Sequence, residues 1–278
     1  MERAKHTFVA VAFTLVSCSA QITPAATPIS QLTSLRVYAT TAATPLLHDL
    51  TSAYRQQDPE AVFELASGSY AAIAERILRE EGSYFFSHHL PDDIDNPQSP
   101  FWAAPVGQDA LTILIHPSNP VVGISLDELR TIYAGRIQRW DAVGGNDEPI
   151  IVVARDESSG MRAEFEALVM GGRATSPAAQ VVPSNQAMAE TVARLPGAIG
   201  YGSLSDLSSQ VSALPINGVT PSSDTVYDRT YPLRLTLYVV GRTEPREDLP
   251  DMRAFIGWVQ SPAGQAVVAQ RYTPLLRP

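Results

Sequence analysis

The chain contains one lysine, Lys5, and one cysteine, Cys18. Past Lys5 there is no ammonium group for a Schiff base, a P-loop or a Ser-x-x-Lys pair. A single thiol excludes a disulfide framework. No hydrophobic run is long enough to cross a bilayer, and no repeat of fixed period recurs. Basic residues are few, with 20 Lys and Arg against 29 Asp and Glu; the formal net charge is −9, or −10 once Glu2, Arg3 and Lys5 are set aside. A surface of that sign argues against nucleic acid as a partner, whose affinity comes largely from clustered Lys and Arg neutralising phosphates. Any anion site must then work through local dipoles, not through a global field. The G-x-S-x-G and H-E-x-x-H signatures are both missing.

What remains is an ordinary globular composition, 45% hydrophobic and 18% charged over 278 residues, a length that suits two domains or one bilobal unit. Arg3 and Lys5 precede a short apolar stretch, Phe8 to Val16, too short to span a membrane. It ends Leu15-Val16-Ser17-Cys18, which resembles the bacterial lipobox, so residues 1–18 are expected to be a lipoprotein signal with Cys18 lipidated. The alternative is a secretory signal whose cysteine is incidental. Residues 19–34 are rich in Ser, Thr, Ala and Pro and read as a flexible tether.

From Leu35 onward strand and helix patterns alternate. Residues 35–40 alternate with period two, and Thr44-Pro45 supplies an N-cap and first-turn proline ahead of the stripe Leu46, Leu47, Leu50, Tyr54. Val62 to Ala66 reads as a second strand, Ser67-Gly68-Ser69 as a turn and 71–79 as a helix. Tyr84 to Ser87 and Leu111 to His116 are further strands, the latter long enough to cross between lobes. Ser125 and Glu128 form a capping box whose helix stops near Gly135. A helix over 185–194, strands over 198–201 and 233–240, and two C-terminal helices complete an α/β pattern.

The segment from Pro149 to Phe165 concentrates the chemistry: a buried strand ending in Arg155, a polar turn with Ser158 and Ser159, then Gly160, Met161 and a helix. A helix N-terminus carries unpaired N–H groups and positive potential. Hydroxyls and a guanidinium beside it make an oxyanion cradle, and Gly160 lets the backbone approach closely. The bland reading is a capped helix with an arginine in a surface ion pair. Three candidate turns, at 40–44, 67–70 and 155–161, all follow a strand and precede a helix. Ligands of α/β sheets bind at such strand ends.

The chain resembles the phosphate-binding proteins of bacterial ABC importers, which are type II periplasmic solute-binding proteins. The likeness runs from about residue 35 to 272. It is densest in Pro105–Asp109, Pro117–Pro120, Leu126–Trp140, Gly144-Gly145, Arg155–Arg162 and Pro196–Tyr201. It implies a bilobal fold of two mixed, largely parallel sheets flanked by helices, with a hinge between the lobes. Lobe 1 would span 35–108 plus about 235–278, and lobe 2 about 109–234. Residue by residue, it implies anion binding by Thr40 and Thr41, by Ser67, Gly68 and Ser69, and by Arg155, Ser159 and Gly160. Two departures stand out. Met161 replaces a hydroxyl residue and offers only its backbone N–H, and the third strand delivers Ser87-His88-His89 where the family places an acid or an arginine.

The resemblance implies capture of phosphate or a similar oxyanion and delivery to an ABC importer permease, outside the cytoplasm and tethered by lipid on Cys18. A monomer without cofactor, metal or catalysis is expected. The acidic group missing at 87–89 would have excluded sulfate, so sulfate, molybdate, tungstate or a small organic anion remain open. His88 and His89 ahead of Asp92, Asp93 and Asp95 match neither a zinc nor an EF-hand spacing; solvated loop, or donation to the anion by Ser87 or His88, are the other readings. A secreted serine hydrolase or phosphatase using Ser158 or Ser159, and an anion-sensing lipoprotein without transport, are the alternatives.

Overall fold

The computed structural model describes residues 34–245 and 249–276; Cys18, the signal and nearly all of the tether lie outside them. The first lobe begins with β1 (Leu35–Thr40), α1 (Thr44–Gln57), β2 (Phe63–Gly68), α2 (Tyr70–Leu78), β3 (Tyr84–Ser87) and β4 (Trp102–Ala110). The second holds β5 (Thr112–Ile115), α3 (Leu126–Tyr133), β6 (Ile151–Arg155), α4 (Gly160–Leu168), β7 (Gln180–Val182), α5 (Asn185–Arg194), β8 (Ala198–Gly202), β9 (Ser212–Ala213) and α6 (Ser223–Tyr227). The chain then returns through β10 (Arg234–Gly241) to α7 (Pro250–Gln260) and α8 (Pro262–Val268).

Two five-stranded sheets result, ordered β2-β1-β3-β10-β4 and β7-β6-β8-β5-β9. In the first, β1 is parallel to β2 and β3, whereas β10 runs antiparallel between β3 and β4. In the second, β6 is parallel to β7 and β8, and β5 is antiparallel to β8 and β9. The sheets are thus mixed and the fold bilobal. Two segments link the lobes side by side: Leu111 N–H donates to Leu233 O at 2.8 Å, and the Tyr231 hydroxyl donates to Leu111 O at 3.1 Å. That paired crossing is a hinge.

Helices cover both faces of the first sheet, so its central strand β3 is buried throughout. Val37, Ala39, Tyr84, Phe86 and Val239 pack with Leu46, Leu50 and Phe255 under α1 and α7. Their neighbours Tyr38, Phe85 and Val240 point the other way, against Ile73 and Ile77 of α2. This is the two-residue periodicity of a strand with apolar partners on each side. The second lobe has its own core around Trp140, whose indole N–H donates to Gly197 O at 2.9 Å.

The capping box forms as expected: Ser125 Oγ accepts from Glu128 N–H while the Glu128 carboxylate accepts from Ser125 N–H. Those bonds hold the Glu128 carboxyl below its usual pKa. Gly135 ends that helix at φ +74°. Two local expectations need correction. Thr44 is not the cap of α1: the N-cap residue is Ala43, and the Thr44 hydroxyl donates back to Thr40 O at 3.1 Å. A threonine hydroxyl reaches the carbonyl four residues earlier as readily as a following N–H. Ser67 and Gly68 are the last residues of β2, not part of a turn, because the β1 pairing runs on to Thr40 opposite Gly68.

Phe255 is fully buried and makes edge contacts with Tyr54 and Phe63. Phe255→Ala is expected to cost about 3–5 kcal/mol in chemical denaturation; a loss below about 1 kcal/mol would show that this face is not the core of its lobe.

Candidate functional site

The carboxyl ends of β1, β2 and β6 meet where the two lobes face each other. Thr41 N–H donates to Gly68 O at 2.9 Å, which locks the turn after β1 onto the end of β2. From the second lobe, Arg155 reaches across: its Nη2 donates to Thr41 Oγ1 at 3.3 Å and to Pro183 O at 3.0 Å. Its Nη1 donates to Asn185 Oδ1. The Arg155 main-chain N–H is held by the Tyr201 hydroxyl at 3.0 Å, and Arg155 O accepts from Arg162 Nη1 at 3.0 Å.

Arg155 is only 1% exposed, and among the described residues no carboxylate lies within ion-pair distance of it. Its Nε has no hydrogen-bond partner among the described residues. One acid acts at one remove: Asp206 Oδ2 accepts from Asn185 Nδ2 at 2.7 Å and from Ser203 N–H at 2.7 Å. Burial pushes the guanidinium pKa below its ordinary value, partly offset by Asp156, Tyr201 and Asp206; an arginine remains charged regardless. The Tyr201 hydroxyl is pushed up to about 12, chiefly by burial, so it stays neutral. Desolvation also raises the Asp206 carboxyl.

Beside Arg155, α4 presents an unsatisfied N-terminus. Its N-cap residue, Ser159, is 3% exposed and makes no side-chain cap bond. Arg162 and Ala163 N–H turn back to Ser159 O, while Gly160 and Met161 N–H find no acceptor among the described residues. Met161 packs into the lobe-2 core and contributes backbone alone. Ser158 differs from Ser159: its hydroxyl and its N–H both donate to Asp156 Oδ1. On the opposite lobe Ser69 caps α2 by accepting from Ala72 N–H at 3.4 Å. Ser67 is exposed at the mouth of the site, and the buried Thr40 carbonyl is occupied by Ala43 and Thr44.

The third-strand residues are engaged elsewhere. Ser87 Oγ donates to His89 O at 2.8 Å and accepts from His89 N–H at 3.0 Å. His88 is 3% exposed, with Nε2 2.9 Å from Asp109 Oδ2. Asp109 in turn accepts from Leu204 N–H of the other lobe at 3.1 Å. His89 also bridges the lobes, with Nδ1 2.8 Å from Glu164 Oε1. Alongside it, Ala71 N–H donates to Ser158 O at 3.2 Å.

The structure therefore brings Thr41, Gly68, Arg155, Ser159, Gly160 and Met161 together at the lobe junction. It turns Ser87, Ser158 and the Ser69 acceptor to local bonds. Sequence reasoning missed Asn185 and Asp206. Asn185 opens α5 two residues beyond the three-residue β7, which is too short to show periodicity; another strand end facing a helix start was the usable signal.

A bilobal α/β protein with a buried arginine and an uncapped helix N-terminus where the lobes meet has the architecture of a two-lobed binding protein. The chain belongs to the PBP superfamily, whose domain model matches residues 24–263. It is 30% identical over 206 residues to a phosphate-binding protein, PstS, of Bacillus subtilis, spanning 72% of this chain and 67% of that one. Among solved structures, a putative phosphate ABC transporter substrate-binding protein from Clostridium perfringens superposes with TM-score 0.81 at 24% identity, covering 88% of this chain and 100% of that one. An ABC-type phosphate transport receptor from Vibrio cholerae gives TM-score 0.71 at 25% identity, covering 86% and 99%.

Gly160 sits against the other lobe, where an added Cβ would lie 2.8 Å from His89 Cβ and 3.3 Å from Tyr70 Cβ. Gly160→Ala is expected to hold the lobes apart and weaken anion binding by about tenfold or more, with unchanged far-UV circular dichroism; unaltered affinity in calorimetry would refute this contact. Because the folded-state pKa of Asp206 is raised, its stabilising contribution is full below the unfolded value and is lost as pH rises through the folded one. Melting temperatures of wild type and Asp206→Asn, compared between about pH 4 and pH 7, should show wild type losing ground as pH rises. A constant difference would contradict the burial of that carboxyl.

Proposed function

We propose that this chain is an extracytoplasmic solute-binding lipoprotein that captures phosphate or a similar small oxyanion between its lobes and hands it to an ABC importer permease. The observation that carries the reading is Arg155: a buried guanidinium that spans from one lobe to Thr41 of the other and has no carboxylate within ion-pair distance among the described residues. Burying an ion costs several kcal/mol unless a partner compensates it. A dianion placed between Arg155, the free N–H groups of Gly160 and Met161, the Ser159 hydroxyl and Thr41 supplies that partner. Each hydrogen bond to a charged group contributes about 1.5–3 kcal/mol, and micromolar affinity needs about 8 kcal/mol. Four to six such bonds are enough, with no lysine or metal. The relatives named for phosphate binding support the choice of ligand, and the short apolar N-terminal segment ending at Cys18 supports lipid anchoring.

The hydrolase alternative gains nothing from the histidines near the site. His89 faces Glu164 and His88 faces Asp109, and Ser159 has neither as a hydrogen-bond partner.

Calorimetric titration with phosphate, sulfate and molybdate tests the reading. Ser159→Ala should weaken phosphate binding by about 1.5–3 kcal/mol, whereas Ser158→Ala, whose hydroxyl is committed to Asp156, should leave it nearly unchanged. Equal losses at the two serines would contradict this division of roles, and no heat with any oxyanion would sink the function.

A further inference from the structure

The lobe junction is not equally tight on its two sides. On the α2–α4 side the contacts of Ala71 with Ser158, His89 with Glu164, and Gly160 with Tyr70 and His89 close it. On the α1–α5 side a crevice of about 600 Å³ stays open, floored by Thr41 and Asn185. These floor residues are continuous with the anion cradle, since Arg155 donates to both Thr41 and Asn185. Organic ligands occupy pockets of roughly 300–1,000 Å³, and a bare tetrahedral anion fills only a small part of such a space.

The lining has a definite charge. Asp206 stands beside Asn185, and Glu190 of α5 lies further out, its carboxylate accepting from Gln186 Nε2 at 2.9 Å. No lysine or arginine lines the crevice; His48 is its one basic side chain. Asn185 and Glu190 are five positions apart on one helix, a rise of about 7.5 Å, so the acidic wall begins a short aliphatic linker away from the cradle. The polarity thus reverses outward, from the Arg155 guanidinium behind Thr41 and Asn185 to the carboxylates that line the crevice.

Building on the anion-binding reading above, we propose that this crevice receives an organic substituent of the bound anion and that the substituent is cationic. The ligand class is an aminoalkyl phosphate or aminoalkyl phosphonate, and inorganic phosphate is its minimal form. The phosphoryl oxygens take the Arg155 and Ser159–Met161 donors, while the ammonium group faces Asp206 and Glu190.

Titration of the wild-type chain with inorganic phosphate, O-phosphoethanolamine and 2-phosphoglycolate tests this. O-Phosphoethanolamine should bind within about threefold of phosphate or tighter, and 2-phosphoglycolate about tenfold more weakly than O-phosphoethanolamine. Glu190→Gln should weaken O-phosphoethanolamine by about threefold or more while leaving phosphate unchanged. The proposal is overturned if O-phosphoethanolamine binds more than about tenfold more weakly than phosphate, if the two organic ligands bind alike, or if Glu190→Gln shifts phosphate and O-phosphoethanolamine equally. These results leave the anion site intact, whereas failure of inorganic phosphate and both organic ligands to bind would remove the anion reading and this proposal together.

Discussion

The proposed site depends on a guanidinium held in the interior by neutral acceptors alone. Asn185 Oδ1, Pro183 O and Thr41 Oγ1 orient Arg155 without cancelling its charge, and Asp206 is kept one residue away by the Asn185 amide. A direct carboxylate would stabilise the arginine permanently and leave little attraction for a guest. Routing the negative charge through an amide fixes the geometry and preserves the field. The free N–H groups at the start of α4 add to that field for the same reason: the cap position is filled by a serine whose oxygen does not turn back on its own helix.

The βα order of each lobe puts these groups where they can act together. Strands β1, β2 and β6 each feed a helix at their carboxyl ends, so helix starts from both lobes face one cleft. The paired crossing at Leu111 and Leu233 joins the two lobes. Polar contacts between the lobes include Arg155 with Thr41, Ala71 with Ser158, His89 with Glu164, Asp109 with Leu204 and Ser205 with Tyr272. Such contacts are individually weak, so the balance between open and closed lobes responds to whatever sits between them.

Much of this was legible in the sequence. The capping box at Ser125, the helix over 185–194 and the strand at 198–201 follow from local rules, since cap residues and apolar stripes act over one or two turns. Arg155 and Ser159 stood out because a strand, a polar turn and a helix start coincide there. Less legible were β4, which carries Pro105 and a register shift where it meets β10, and β7 and β9, with three and two residues. The roles of Ser87, Ser158 and His88 were hidden for another reason. A hydroxyl or imidazole beside a ligand site looks the same in sequence whether it faces the ligand or a neighbouring backbone group. Only the fold shows Asp156 taking Ser158 and His89 taking Ser87.

The most direct test compares thermal unfolding of wild type and Arg155→Met with and without phosphate. If Arg155 serves the guest and not the fold, the variant melts near wild type in phosphate-free buffer, because removing an uncompensated buried charge offsets the lost hydrogen bonds. Added phosphate then raises the wild-type melting temperature and leaves that of the variant where it was. A variant that melts far below wild type without phosphate, yet still gains the full phosphate-dependent rise, would contradict the account.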